Sequence, residues 1–316
     1  MNFKSLPQLL DFFIEESTCI EYYEQIRWNG NPVCPHCESE RVYKTNRGYK
    51  CANSECYKKF TDKVGTIFEN SKIPFRIWFA SIWLATSHKK GISSVQLALD
   101  LGLTQKTAWF VLHRIREMLK DKAPQMLGEN NMVEVDEAYI GGKESNKHIN
   151  KKRSFNDRNL TNEGKPFAPK KTVVGIIERN GNVVLKHVPN AELRNMGAFI
   201  SKHVPHGSTI YSDEAPVYNH LKRYYTHDSV KHALNIYVEG NVHTNTIENF
   251  WSVLKRGLYG IYHQVSEKHL ERYLDEYSAR FNTRKLSSNE RFVKFLYDSE
   301  SVLSYKVLTN KPINIF

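Results

Sequence analysis

Four cysteines within one short stretch constrain the start of this chain more than any other feature. Cys34 and Cys37 stand in "CPHC", Cys51 and Cys56 in "CANSEC", and 13 residues separate the pairs. Two close pairs on either side of a hairpin supply the four corners of a tetrahedral thiolate site, each pair forming a knuckle. The intervening "RVYKTNRGYK" alternates as a strand pair does. The expectation is a ribbon held by a structural Zn²⁺, since four thiolates complete the coordination and leave no open position. His36, inside the first knuckle, reads as a bystander, and Cys19 as a small hydrophobe in a core.

The rest of the chain can build a core and favours an anionic partner. Of its 316 residues 40% are hydrophobic, and the formal net charge is +11. A basic excess of that size points to nucleic acid. No apolar run reaches the roughly 18 residues that span a membrane. The opening "MNFKSLPQLLDFFIEEST" lacks a signal-peptide layout because acids follow its short apolar patch at once. A cytoplasmic, nucleoid-associated protein with no membrane partner is expected. Composition and periodicity divide the chain into an N-terminal helix and ribbon (1–62), a helical region (63–125), an α/β domain (126–296) and a C-terminal tail (297–316).

The helical region contains "ISSVQLALDLGLTQKTAWFVLHRIREML". A short helix carrying Val95, Leu97 and Ala98 meets a turn at Gly102, and a second helix starts at Thr104 with Ala108, Val111, Leu112 and Ile115 inward. Ser93 and Thr104 suit the N-cap positions. This is helix-turn-helix patterning. The first residues of the second helix, Gln105, Lys106 and Thr107, would then face the DNA major groove, with Arg114 nearer the backbone. An ordinary helical hairpin is the competing reading.

From residue 132 strands take over. "MVEVDEAYI" reads as one strand, and "KTVVGIIERNGNVVLKHV" as two flanking an Asn180-Gly181 turn. Then come a helix over "NAELRNMGAFISKHV", a buried strand ending at Asp213, a Pro-initiated helix over "APVYNHLKRYY", and a weak strand in "HDSVKHA". Helices over 245–257 and 266–282 follow. A polar, basic insert lies between Gly141 and Lys171 and reads as a loop.

Three acids stand out against this background. Asp136 sits inside a strand otherwise built for burial, where an unpartnered carboxylate is costly. Asp213 ends a strand, where ligand-binding acids of α/β sheets gather. Glu248 lies seven residues before Lys255, two helical turns on the same face. Ile247, Trp251, Leu254 and Leu258 form a buried stripe beside them. Asn245 and Glu248 also have the spacing of a capping box, which would satisfy the glutamate locally. His232, His243 and His263 lie near these acids in sequence and read as packing or helix-end residues.

The stretches "CPHC", "VEVDEAYIGGK", "YSDEAPVY" and "HTNTIENFWSVLKRGLYGIYH", in this order, resemble the zinc-ribbon DDE transposases of bacterial insertion sequences. The resemblance covers nearly the whole chain. It implies a multidomain protein: zinc ribbon, helix-turn-helix region, then an α/β ribonuclease H-like catalytic domain with a mixed five-stranded sheet. It implies that Asp136 and Asp213 are the first two catalytic acids, that the third falls in "HTNTIENFW", and that Lys255 is the basic residue that follows. Glu248 is taken as the third because a carboxylate is the better Mg²⁺ ligand, with Asn245 in reserve. The expected cofactor is Mg²⁺ or Mn²⁺, the partners element-end and target DNA, and the working form a homodimer or larger assembly. The alternatives are a nuclease of the same fold that cuts without joining, and a non-enzymatic zinc-ribbon regulator.

Overall fold

The structure is a computed structural model that describes residues 2–121, 125–129, 131–141, 170–230 and 242–310. By its contacts the chain forms two compact units, one of residues 1–121 with 275–316 and the other of residues 122–274.

The first unit opens with α1 (Leu6–Phe12) and α2 (Glu16–Trp28) and continues into the ribbon. There β1 (Val42–Thr45), β2 (Gly48–Cys51) and β3 (Lys59–Phe60) pair antiparallel in that order. Trp28, Tyr49 and Phe60 are the aromatic filling of its inner face, together with Cys34 and Cys51. Gly48 is required at the hairpin: its φ is +110°, and a Cβ there would lie 2.6 Å from the Phe60 carbonyl oxygen.

Three helices follow, α3 (Phe75–Ser87), α4 (Ser94–Leu101) and α5 (Gln105–Leu119). Ser93 and Thr104 cap α4 and α5 through their side chains, and Gly102 turns between them with φ +65°. Leu97, Ala108, Val111, Leu112 and Ile115 are buried as the pattern predicts, whereas Val95 is 57% exposed. α9 (Ser288–Tyr297) returns to this unit, and its Phe292, Phe295 and Leu296 enter the same core as Phe79 and Trp83. The compact units thus follow different lines from the division by composition, because the apolar face of α9 is buried among the N-terminal helices. The expected tail also holds α10 (Tyr305–Thr309), anchored by buried Leu303 and Leu308.

The second unit is a mixed sheet of β4 (Val133–Ile140), β5 (Lys171–Glu178), β6 (Val183–Val188), β7 (Thr209–Asp213) and β8 (Thr226–Val230). Their order is β6-β5-β4-β7-β8. The first three strands pair antiparallel, and β7 and β8 are added parallel to β4. This is the five-stranded ribonuclease H-like arrangement that the resemblance implied. Asn180 takes the left-handed conformation, φ 61°, at the β5–β6 turn. α6 (Leu193–His203) and a helix over Pro216–Arg223 share one core with Val133, Val135, Val174 and Ile176. The latter helix is 3₁₀ rather than α. α7 (Asn245–Gly260) packs on β4 and β5, and the first residues of α8 (Glu267–Asn282), up to Leu274, end this unit while the rest of that helix belongs to the first. Alternation along β4 therefore sends Val133 and Val135 to one face and Glu134 and Asp136 to the other. The insert at 142–169 and His232 lie outside the described residues. Among the described residues no helix is long and apolar enough to cross a membrane.

Candidate active site and metal centre

The ribbon sulfurs meet as the spacing predicts. One sulfur from each of Cys34, Cys37, Cys51 and Cys56 lies within 4.8 Å of the others. The Cys34–Cys56 and Cys37–Cys51 separations are 3.8 and 3.6 Å. A tetrahedral Zn²⁺ with ~2.3 Å bonds needs sulfurs about 3.8 Å apart, so the donor set and its size fit zinc. The Asn53 backbone N–H donates to the Cys51 sulfur at 3.4 Å. His36 is exposed and Cys19 is fully buried in the helical core, where burial pushes its thiol up to about 12.

The acids gather in the second unit because of strand register. β4 and β7 pair in parallel at Val133↔Ile210 and Glu134↔Tyr211. Two residues further along the same register, Asp136 stands level with Asp213. Beyond that pairing the strands flank an open cleft of about 490 Å³ lined by Asp136, Glu137, Asp213, Thr244, Glu248, Trp251, Ser252 and Lys255. The two aspartates, the helix-borne glutamate and the lysine two turns on are thus brought together. Asn245 is exposed and does not line the cleft. Among the described residues the four cysteines are the one group with metal-ligating atoms all within 4.8 Å of one another; the carboxylates stand further apart.

Each acid has a distinct setting. Asp136 accepts a hydrogen bond from the Trp251 indole N–H at 2.9 Å. That ring lies over Gly175, the register partner of Asp136, where a Cβ would come within 2.7 Å of the indole carbons. Burial, and after it the charges of Glu137 and Asp213, push the Asp136 carboxyl up from 3.8 to about 7, although the Trp251 bond opposes this. Glu137 projects from the opposite face of β4 and accepts from the Tyr218 hydroxyl at 2.6 Å. Burial raises its pKa as well, with the Asp213 charge adding to it. Asp213 spends one oxygen on the Ala215 backbone N–H at 3.0 Å.

The N-terminus of α7 resolves the capping question. Thr244 is the N-cap residue and Asn245 is already helical, so Asn245 and Glu248 do not stand in capping-box positions. The first-turn N–H groups of Thr246 and Ile247 instead donate to Glu134, at 2.9 and 3.0 Å. Glu134 is completely buried and also accepts from the Thr246 hydroxyl and from Arg179 Nε at 2.7 Å. A strand carboxylate thereby satisfies donors that a helix start leaves open and complements its dipole. Glu248 accepts from the Thr244 hydroxyl at 2.9 Å at the cleft wall. Sequence reasoning missed Glu134, Glu137 and the polar role of Trp251. The available sign was the density of acids in "VEVDEAY", three in a strand of buried valines.

In the first unit Gln105 and Lys106 are exposed at the start of α5, and Thr107 is half-buried. Gln105 donates to the Ser94 hydroxyl at 2.9 Å, and the Lys106 ammonium lies 5.2 Å from the Tyr305 ring. Arg114 is not where a DNA-backbone contact requires it. It is buried, and its guanidinium donates to the carbonyls of Leu303, Ile67 and Glu69 at 2.8–3.0 Å. The helical period explains this, since position 114 falls on the buried stripe with 111, 115 and 118. His243 stands with its Nδ1 3.3 Å from Glu134, and His263 is exposed.

Residues 126–282 match the ISXO2-like transposase domain, and residues 14–59 match the transposase zinc-ribbon domain. A protein of the transposable element ISH50 from Halobacterium salinarum is 27% identical over 278 residues, covering 85% of this chain and 91% of its own. A transposase-like protein of Haemophilus influenzae is 29% identical over 110 residues, covering 34% of this chain and 88% of its own. Among solved structures, a pre-cleavage Mos1 transpososome aligns at a TM-score of 0.24 and 13% identity, over 75% of this chain and 82% of that one. With a transposase ribbon at one end and an ISXO2-like domain behind it, the chain belongs to the zinc-ribbon DDE transposases of insertion sequences.

Proposed function

We propose that the second unit cleaves DNA at the ends of its own insertion sequence and joins the freed 3′-hydroxyl to target DNA, using Mg²⁺ or Mn²⁺. The observation that carries this is the cleft in which Asp136, Glu137, Asp213 and Glu248 share one wall system with Lys255. Crowded carboxylates, one held near pH 7 by burial and its neighbours, favour a hard divalent cation with oxygen ligands. Asp136, Asp213 and Glu248 would hold it. Bound there, such metal supplies Lewis-acid stabilisation of the attacking and leaving oxygens in an in-line displacement. The chain itself does the positioning. Trp251 fixes the Asp136 carboxylate, Glu134 fixes the start of the helix that carries Glu248, and Lys255 faces the cleft as a contact for a DNA phosphate. Both steps are phosphoryl transfers without a covalent protein intermediate. Gln105, Lys106 and Thr107 would read the terminal repeats, and pairing of two ends calls for a dimer or larger assembly.

The test uses duplexes carrying the inverted repeats that flank the reading frame. Wild-type protein with Mg²⁺ nicks them at the element end and yields joined product with a target plasmid. Glu248→Ala abolishes both steps while Asn245→Ala leaves them within a few-fold. Cleavage without joined product indicates a nuclease, and a reversed ranking of the two variants moves the third ligand to Asn245.

A further inference from the structure

The outer face of the ribbon has a composition that folding does not explain. Register places Lys50 directly between Tyr43 on β1 and Lys59 on β3. Two like charges facing each other across a strand pair destabilise a sheet. Lys50 is also flanked by aromatic rings, its ammonium 5.9 Å from the Tyr43 ring and 5.4 Å from the Tyr57 ring. Both tyrosines are large and open to solvent, 48% and 56% exposed. Arg41, just before β1, is exposed and its carbonyl accepts from the Ala52 N–H at 2.7 Å, and the stretch from Arg41 to Ser54 has no acidic residue, with Glu40 and Glu55 standing at its two ends. Tyr57 stands with φ at 48°, a conformation that glycine adopts at least cost, directly after the last zinc-site cysteine. The inner face, by contrast, is fully used by Trp28, Tyr49 and Phe60.

We propose that this outer face, formed by Arg41, Tyr43, Lys50, Tyr57 and Lys59, docks on the phosphate backbone of duplex DNA. The assignment rests on the reading of the chain as a DNA transposase and specifies a contact surface remote in sequence from α5. An anion between Lys50 and Lys59 offsets their mutual repulsion, and the tyrosine rings hold Lys50 raised between them while their hydroxyls reach neighbouring phosphates. Such contacts carry no sequence information. They strengthen binding to element ends and to other duplexes alike.

The experiment measures binding of the full-length protein to two fluorescein-labelled 40-bp duplexes, one bearing the flanking inverted repeat and one of mixed sequence, over a salt series. Replacing Lys50 and Lys59 together by glutamine should weaken both complexes by roughly 10–30-fold at 0.15 M salt. It should also flatten the slope of log K against log salt by about 2, one counterion per phosphate contact. Tyr57→Gly removes the ring while suiting the backbone, so it should keep one zinc per chain and wild-type or higher resistance to unfolding, yet bind both duplexes several-fold more weakly. Unchanged affinity and slope in both variants overturns the surface, as does weakened binding confined to a variant that has lost zinc. If the wild-type protein binds neither duplex, the DNA reading itself falls and this inference with it.

Discussion

Replacing Asp136 by asparagine should make the metal-free protein more stable, and more so as pH rises. The folded protein pushes the Asp136 carboxyl from 3.8 to about 7, first through burial and then through the charges of Glu137 and Asp213. A group whose acid form is favoured by folding loses stability when it ionises. The loss begins near pH 4, where the unfolded chain gives up its proton, and is complete above pH 7. Three pH units at 1.36 kcal/mol each set a ceiling of about 4 kcal/mol. Screening by water at the cleft mouth reduces this to ~2–4 kcal/mol. Asparagine keeps an acceptor for the Trp251 N–H and carries no charge. In EDTA, Asp136→Asn and wild type should therefore unfold alike at pH 3, below the unfolded carboxyl's own titration, while at pH 8 the variant should melt at least about 4 °C higher, given ~2–4 °C per kcal/mol for a unit of this size. Mg²⁺ should raise the melting temperature of wild type and not of the variant. A difference that does not change with pH, or a variant less stable at pH 8, would show that the carboxylate is locally satisfied and refute the argument.

Two further substitutions probe the supports of the site. Gly175→Ala places a methyl 2.7 Å from the rigid end of the Trp251 ring and 3.1 Å from a Leu185 methyl. Overpacking of that kind should cost ~1–3 kcal/mol in urea unfolding and lower cleavage at least about 10-fold; full activity would show that Asp136 needs no indole. Glu134→Gln turns an amide toward the N–H donors of Thr246 and Ile247 and leaves Arg179 Nε without its carboxylate. Breaking a buried pair should cost ~3–5 kcal/mol, and a loss below about 1 kcal/mol in the same titration would mean that α7 is held elsewhere.

The parts of this fold legible in the sequence are those set by local rules. Cysteine spacing gives the ribbon, Ser93, Gly102 and Thr104 give the α4–α5 turn, and Asn180-Gly181 gives the β5–β6 hairpin, because caps, turns and knuckles involve neighbours in the chain. Asp136, Asp213, Glu248 and Lys255 were legible as candidates because acids in buried strands and a seven-residue helical spacing are unusual without a purpose. The misreadings came where distant segments decide. Arg114 looked like a DNA contact, yet its partner carbonyls at Ile67, Glu69 and Leu303 lie 45 to 189 positions away. α9 looked like the end of the catalytic domain, yet its phenylalanines fill the core of the N-terminal helices. Helical periodicity marks a buried face without saying what buries it.

The start of α7 shows how a distant residue can change the meaning of a local pattern. By spacing, Glu248 served equally well as a cap or as a ligand, because a helix start must satisfy its free N–H groups and a glutamate three residues after an asparagine is one way to do so. Glu134 removes that need. It lies two positions before Asp136 on β4 and reaches the Thr246 and Ile247 N–H groups from the strand side. One strand therefore supplies both the anchor of the helix and the first acid of the cleft. Since the two are joined by a single extended dipeptide step, any shift of β4 moves both together, and the hydrogen bonds from Thr246 and Ile247 to Glu134 couple the start of the helix that carries Glu248 to the strand that carries Asp136. Glu248, relieved of capping, is left at the cleft wall, where a carboxylate can serve a metal.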